Sequence, residues 1–256
     1  MEEKYVYLCE DSFEGILSAV YRAFEDRHGH EKNELMIAEE NFNRQLFCQY
    51  ITVETEYERA VKVAGTIQRK ISPQAYEFVQ RVAASCRMEK ADAIYRFIIE
   101  GLMIGKSVMS HLTAPFMQTM MELERNTKNE AHFWIELLRF EELENGVLFG
   151  RINPKNKILP YLAEHFADRF SGENWVIADT VHKTVLIHRK NEGCVYASMD
   201  EVDFNALALQ YSEEEEDLQK LWKLFVETIA IKERVNKNLQ RQMMPLRYRK
   251  YMKEFS

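Results

Sequence analysis

The sequence predicts an α+β protein: a helical N-terminal half packed with an antiparallel β-meander flanked by helices. Three observations carry that prediction. Apolar residues recur at three-and-four spacing through the first half, an Asn-Gly pair separates two apolar runs near the middle, and three short strand-like segments follow between polar turns.

Asp11 and Glu14 have capping-box spacing, and Phe13, Ile16, Leu17, Val20, Tyr21 and Phe24 follow on one stripe before Gly29. Thr55 with Glu58 repeats the signal ahead of Tyr57, Ala60, Val61, Ala64, Ile67 and Ile71. Ser72-Pro73 opens a third helix, because proline at the first helical position loses no needed hydrogen bond. Tyr76, Val79, Val82, Ala83 and Cys86 line its buried face. Two more helices are expected over 90–106 and 114–129. The character then changes near Trp134. Asn145-Gly146, between Ile135 to Leu143 and Val147 to Asn153, predicts a two-residue hairpin turn that pairs Leu143 with Leu148 and Arg139 with Ile152. Arg139 would then lie on a largely apolar sheet face, with Glu141, a bound phosphate or a helix-borne carboxylate as its partner. Ile158, Leu162, Phe166 and Phe170 predict a helix that Gly172 stops. Trp175 to Thr180, Thr184 to Arg189 and Cys194 to Met199 read as three antiparallel strands. Ser212 with Glu215 starts a last helix whose core stripe is Leu218, Leu221, Trp222, Phe225 and Ile229. With no repeat and no low-complexity linker, the expected division is a helical region over 1–85 and an α+β core domain over 86–256 that ends in a basic segment, both in one compact body.

With 46% hydrophobic and 29% charged residues the chain has the composition of an ordinary globular protein, which excludes disorder. Cys9, Cys48, Cys86 and Cys194 lie far apart, which excludes a zinc ribbon and a dense disulfide framework and suits a reducing compartment. The start Met1-Glu2-Glu3-Lys4 lacks the order of a signal peptide, and Arg96, Glu100 and Lys106 interrupt the most apolar stretch. A cytoplasmic location is expected, with no membrane span. The net charge of −7 is divided unevenly: the segment from Lys232 to Lys253 carries +7 and the remainder −14.

No motif names a reaction. HExxH, clustered Cys/His, a Walker loop, GxGxxG and GxSxG are all absent from the sequence, so neither a metal nor another cofactor is expected. Two groups of residues stand out. Tyr161, His165, Asp168 and Arg169 share one helical strip, where His165 could shuttle a proton and Arg169 could hold a phosphate or carboxylate. The same side chains also fit a surface His–Asp or Asp–Arg pair near a helix end. In the basic segment, Arg234, Asn236, Arg241, Arg247, Tyr248, Arg249 and Lys250 combine cations, an amide and an aromatic ring, which is nucleic-acid chemistry in kind. A basic run also suits docking on the chain's own acidic body.

These residues resemble the bacterial family named "probable DNA metabolism protein", domain-of-unknown-function family 4130. The resemblance rests on Tyr5-Val6-Tyr7, the run from Ser12 to Val20, Arg139-Phe140, Asn153-Pro154 and Ile158-Leu159-Pro160. It continues through His165-Phe166, Arg169-Phe170, Trp175 with Asp179, Arg234-Val235-Asn236, Gln240 and Met244 to Tyr248. The chain departs from the family at Glu136-Leu137-Leu138, where a glycine precedes the Arg-Phe pair, and at Thr180-Val181-His182, where a basic residue follows the strand. The resemblance implies a role beside DNA repair or modification, with a radical-SAM protein as partner, and the expected ligand is DNA, single strands included. The leading expectation is a non-enzymatic accessory whose groove is lined by Arg139, His165, Arg169 and the basic segment. One alternative is an enzyme on a nucleobase or sugar-phosphate, with His165 and Asp179 as acid and base and Arg139 and Arg169 as anion holders. The other is a protein-binding scaffold without affinity for nucleic acid.

Overall fold

In the N-terminal half, short segments become strands where the pattern predicts helices alone. The computed structural model describes residues 4–38, 46–201, 211–229 and 236–252, and the backbone clusters into two compact units, Met1–Lys128 and Asn129–Ser256. The first unit runs β1 (Lys4–Cys9), α1 (Phe13–Glu25), β2 (Asn33–Ile37), β3 (Cys48–Thr52), α2 (Tyr57–Thr66), α3 (Pro73–Ala83) and α4 (Lys90–Ile104). Its strands form a parallel sheet in the order β2-β1-β3. Strands of five or six residues carry too few positions to show a period. What makes them strands is the partner backbone each one bonds to.

The helices arise largely where the periodicity places them. Ser12, one residue past the expected Asp11, caps α1 by accepting the Gly15 amide at 2.9 Å. Gly15 is required there, since a Cβ would sit 2.7 Å from the Glu10 carbonyl oxygen. Thr55 does not cap α2; its hydroxyl donates to the Glu10 carboxylate at 2.7 Å. α2 continues into a π turn over Ile67–Ile71, and Ser72 then caps α3 through the Ala75 amide at 3.0 Å. The helical stripes meet in a core that includes Ile16, Leu17, Val79, Val82, Ile94 and Phe97. Cys86 is exposed rather than buried, because α3 ends before it at Ala83. Fully buried Lys90 is paired: its ammonium lies 2.5 Å from Asp11 and also reaches the Ser85 carbonyl.

The second unit takes in the end of α5 (Pro115–Leu137), then β4 (Phe140–Glu142), β5 (Leu148–Ile152), α6 (Leu159–Arg169), β6 (Trp175–Asp179), β7 (Thr184–Arg189) and β8 (Gly193–Ser198). α7 (Glu213–Ile229), α8 (Lys237–Met243) and a 3-10 helix over Leu246–Tyr251 complete it. The fold class is α+β. The five strands lie in sequence order, antiparallel except for β5 and β6. That pair is parallel because α6 carries the chain back to the starting edge between them.

Three expectations are corrected here. The strand expected over 135–143 begins only at Phe140: Ile135 to Leu137 are the last residues of α5, whose buried Ala131 and Trp134 share one core with Leu138 just beyond the helix end. The hairpin loop has three residues rather than two. The Gly146 amide bonds the Leu143 carbonyl at 2.8 Å and the Leu143 amide bonds the Val147 carbonyl at 3.0 Å, with Gly146 alone at positive φ (75°). This is a type I turn closed by a left-handed glycine. It shifts the register by one residue, so Glu142 rather than Leu143 pairs with Leu148; Arg139 lies outside the strand because β4 begins at Phe140. Third, the stripe of α7 is not core. Ser212 caps the helix through the Glu215 amide at 3.1 Å, and its first turn is tied to β4, where the Glu142 amide donates to the Glu215 carboxylate at 3.3 Å. Beyond that turn Leu218, Leu221, Trp222 and Phe225 are 43–61% exposed. The side chain of Ile229 lies outside the described residues.

The C-terminal segment is held by a buried carboxylate. Glu130 on α5 accepts the Lys155 amide at 3.0 Å, the Asn156 amide at 2.8 Å and the Asn156 side-chain amide at 2.7 Å. Its fourth donor is Arg247, at 2.9 Å. Tyr248 is buried against Trp134 (5.1 Å between ring centres) and Phe133 (5.3 Å). The Tyr251 hydroxyl is hydrogen-bonded to Thr180 at the end of β6.

Two outcomes are expected in urea unfolding. G15A lowers stability by about 1–3 kcal/mol, the usual cost of overpacking, while G172A, whose Cβ would meet nothing within 4 Å, lowers it by nothing measurable. E130A costs about 3 kcal/mol, because three N–H donors and a guanidinium lose their acceptor together. Wild-type stability in E130A would show that the carboxylate does not anchor the segment.

Candidate nucleic-acid interface

α6 offers two faces of different chemistry. Leu159, Leu162 and Phe166 are buried, while His165 and Arg169, four residues apart, stand on one strip toward solvent. Arg139 joins them from the connector between α5 and β4. These three line one open cleft of about 600 Å³ whose floor includes Phe140, Phe166 and Phe170. The floor is an aromatic cluster: Phe140 meets Phe166 and Phe170 edge-on at 5.3 Å and 5.2 Å. The Arg169 guanidinium lies 5.6 Å from the centre of the Phe170 ring, which holds the cation over an aromatic face. Glu136 also lines the cleft, and its carboxylate lies 3.1 Å from His132. Cations above an aromatic floor suit a ligand that carries both negative charge and flat apolar surface.

With the register shifted, the buried Glu141 carboxylate faces Arg151 on β5 at 3.2 Å, and Arg151 also donates to the Tyr211 hydroxyl at 3.1 Å. Arg139 is exposed at the cleft instead of lying on the sheet face.

His165 and Asp179 are not brought together. The cleft lies at the Leu148 end of β5, which is the Trp175 end of β6. Asp179 sits four residues farther along, about 13 Å at the usual strand rise. It is buried and fully engaged: one oxygen accepts the Val181 and His182 amides at 3.0 and 3.1 Å, and the other lies 2.6 Å from His182 Nδ1. Its partner is therefore His182, a residue that stands in the sequence only as a departure from the family pattern. The cleft that holds His165 does not include Asp179.

The basic segment is divided between structural and exposed positions. Asn236 caps α8 by accepting the Leu239 amide at 3.0 Å. Arg249 donates to the carbonyls of Met244 and Gln240 at 3.0 and 3.1 Å and so closes that helix. Arg247 is bound to Glu130, and its guanidinium also covers the Tyr248 ring, at 4.5 Å from the centre. Burial pushes the Tyr248 phenol above its ordinary pKa. Arg241 and Lys250 are exposed, with the Lys250 ammonium 5.1 Å from the Tyr251 ring. Arg234 lies outside the described residues. Sequence reasoning thus reaches Arg139, His165 and Arg169, and misses the phenylalanine floor, Glu130 and Arg151. The four-residue step from Phe166 to Phe170 is a signal for the floor, but it reads equally as core.

Among the described residues no group of three or more His, Cys, Asp or Glu side chains is placed to hold a metal ion, and no helix is long and apolar enough to cross a membrane. A solved structure titled as a member of a family of ribosomal proteins, DHH domain, is similar at a TM-score of 0.38 and 9% identity over 74% of each chain, too slight a likeness to carry an argument. No curated protein matches the sequence. A family model described as "Domain of unknown function (DUF4130)" matches residues 88–254, more than half of the chain. That match leaves out Tyr5 to Val20, where the resemblance also runs, and takes in the cleft and the basic segment alike. The chain belongs to the DUF4130 family.

Proposed function

We propose that this protein is a nucleic-acid-binding accessory of DNA metabolism, acting in the bacterial cytoplasm and presenting DNA to a radical-SAM partner. One observation carries the reading: Arg139, from the connector before β4, and His165 and Arg169, from α6, line one open cleft over an aromatic floor. A polynucleotide matches that cleft in kind, because its phosphates meet the guanidiniums and its bases meet the half-buried rings of Phe140 and Phe170. The radical-SAM partner and the link to DNA come from the family resemblance. In this reading the cleft binds and the C-terminal segment supports, since Arg247, Tyr248 and Arg249 are held by the protein itself.

The test is a DNA-binding titration across a salt series. The double variant R139E/R169E is expected to weaken binding at least tenfold in low salt, and to reduce the log–log salt slope by about one for each phosphate that goes unneutralised. The double variant R241E/K250E, which reverses exposed charges of the C-terminal segment, is expected to change affinity by less than R139E/R169E does. Equal effects in the two variants, or none in the first, would remove the cleft from the reading.

A further inference from the structure

We infer that the ligand of this surface is single-stranded, and that Trp222 on α7 is the platform on which an unpaired base stacks. The inference rests on the nucleic-acid reading of the cleft. A second hollow, of about 290 Å³, lies between β4 and α7 and is lined by Arg139, Phe140, Glu141, Glu215, Gln219 and Trp222 among others. It shares Arg139 and Phe140 with the first cleft, so the two adjoin at these residues.

Trp222 is 43% exposed, whereas Trp134 and Trp175 are 2% and 0% exposed. Its ring lies 5.9 Å from that of Phe225, tilted by 31°, and both rings continue the apolar stripe of α7 into solvent. Two acidic groups in the hollow are already engaged. Glu141 is bound by Arg151, and Glu215 accepts the Glu142 amide and the Gln219 side-chain amide.

The occupant follows from continuity and charge. An apolar helix face that runs into a site lined by two arginines and a histidine suits a ligand that alternates anions with flat aromatic rings. A paired base hides its faces in the duplex stack, and only an unpaired one offers a face to Trp222. Stacking of this kind tolerates any base, so the surface is expected to prefer strandedness over sequence.

The experiment uses the full chain, a thymidine oligonucleotide of about a dozen residues and a duplex of mixed sequence and matched length. Because the other two tryptophans are buried, quenching of the solvent-exposed fluorescence reports on Trp222. The single strand is expected to quench it, and W222A is expected to bind that strand about tenfold more weakly with duplex affinity unchanged within twofold. W222F, which keeps a ring, should recover most of the affinity. If DNA binds and R139E/R169E weakens it, but neither quenching nor the W222A effect appears, the inference fails and the cleft reading stands. If no DNA binds at all, both fail. If W222A leaves DNA binding intact and abolishes a concentration-dependent self-association seen by sedimentation, the stripe is covered by a second copy of the chain and the inference is overturned.

Discussion

A carboxylate withdrawn from water needs donors from every side, and Glu130 finds them in separate stretches of the chain. It joins α5, the Asn153 to Asn156 turn after β5, and the 3-10 helix near the C-terminus through three hydrogen bonds and an ion pair. Removing a single donor would leave charge in a poorly solvated place, so the four interactions hold as a group. Because Arg247 is fixed there, Tyr248 is carried into the core beside Trp134, and Tyr251 is carried to Thr180 at the end of β6. The basic run thereby becomes a fastening of the fold.

That fastening divides the second unit into two chemical ends. At the C-terminal end of the β5–β6 pair, polar groups satisfy one another: Asp179 with His182, Thr180 with Tyr251, and Glu130 with its donors. At the other end the sheet gives way to Phe140, Phe166 and Phe170, with Arg139, His165 and Arg169 lining a cleft that opens to solvent. A surface that binds an outside ligand turns its charges toward water, whereas one that stabilises the fold buries them. At the first end the charged groups are engaged with one another, whereas Arg139 and Arg169 at the second are exposed beside the cleft. α7 extends that open end, since its first turn is tied to β4 while its later apolar residues face solvent.

Most of the helices, the three later strands and the strip that holds His165 and Arg169 are legible in the residues alone, because each depends on local periodicity, capping and turn chemistry. Ser72-Pro73 and Ser212 begin helices where their hydroxyls reach the first turn, and the stop near Gly172 needs no distant partner. Tertiary structure alone decided what depends on partners far away in the chain. The parallel β2-β1-β3 sheet exists only when three separated segments share backbone hydrogen bonds. The hairpin register turned on one extra loop residue, which set Glu141 against Arg151, while Arg139 lies at the cleft because β4 begins only at Phe140. Trp222 and Phe225 have a stripe that suits a buried helix as well as an exposed one, and the packing around α7 left it exposed. Arg247 and Arg139 look alike in sequence, since charge says nothing about which groups the fold will bring beside it. Only the folded chain brings Glu130 to one and an open cleft to the other.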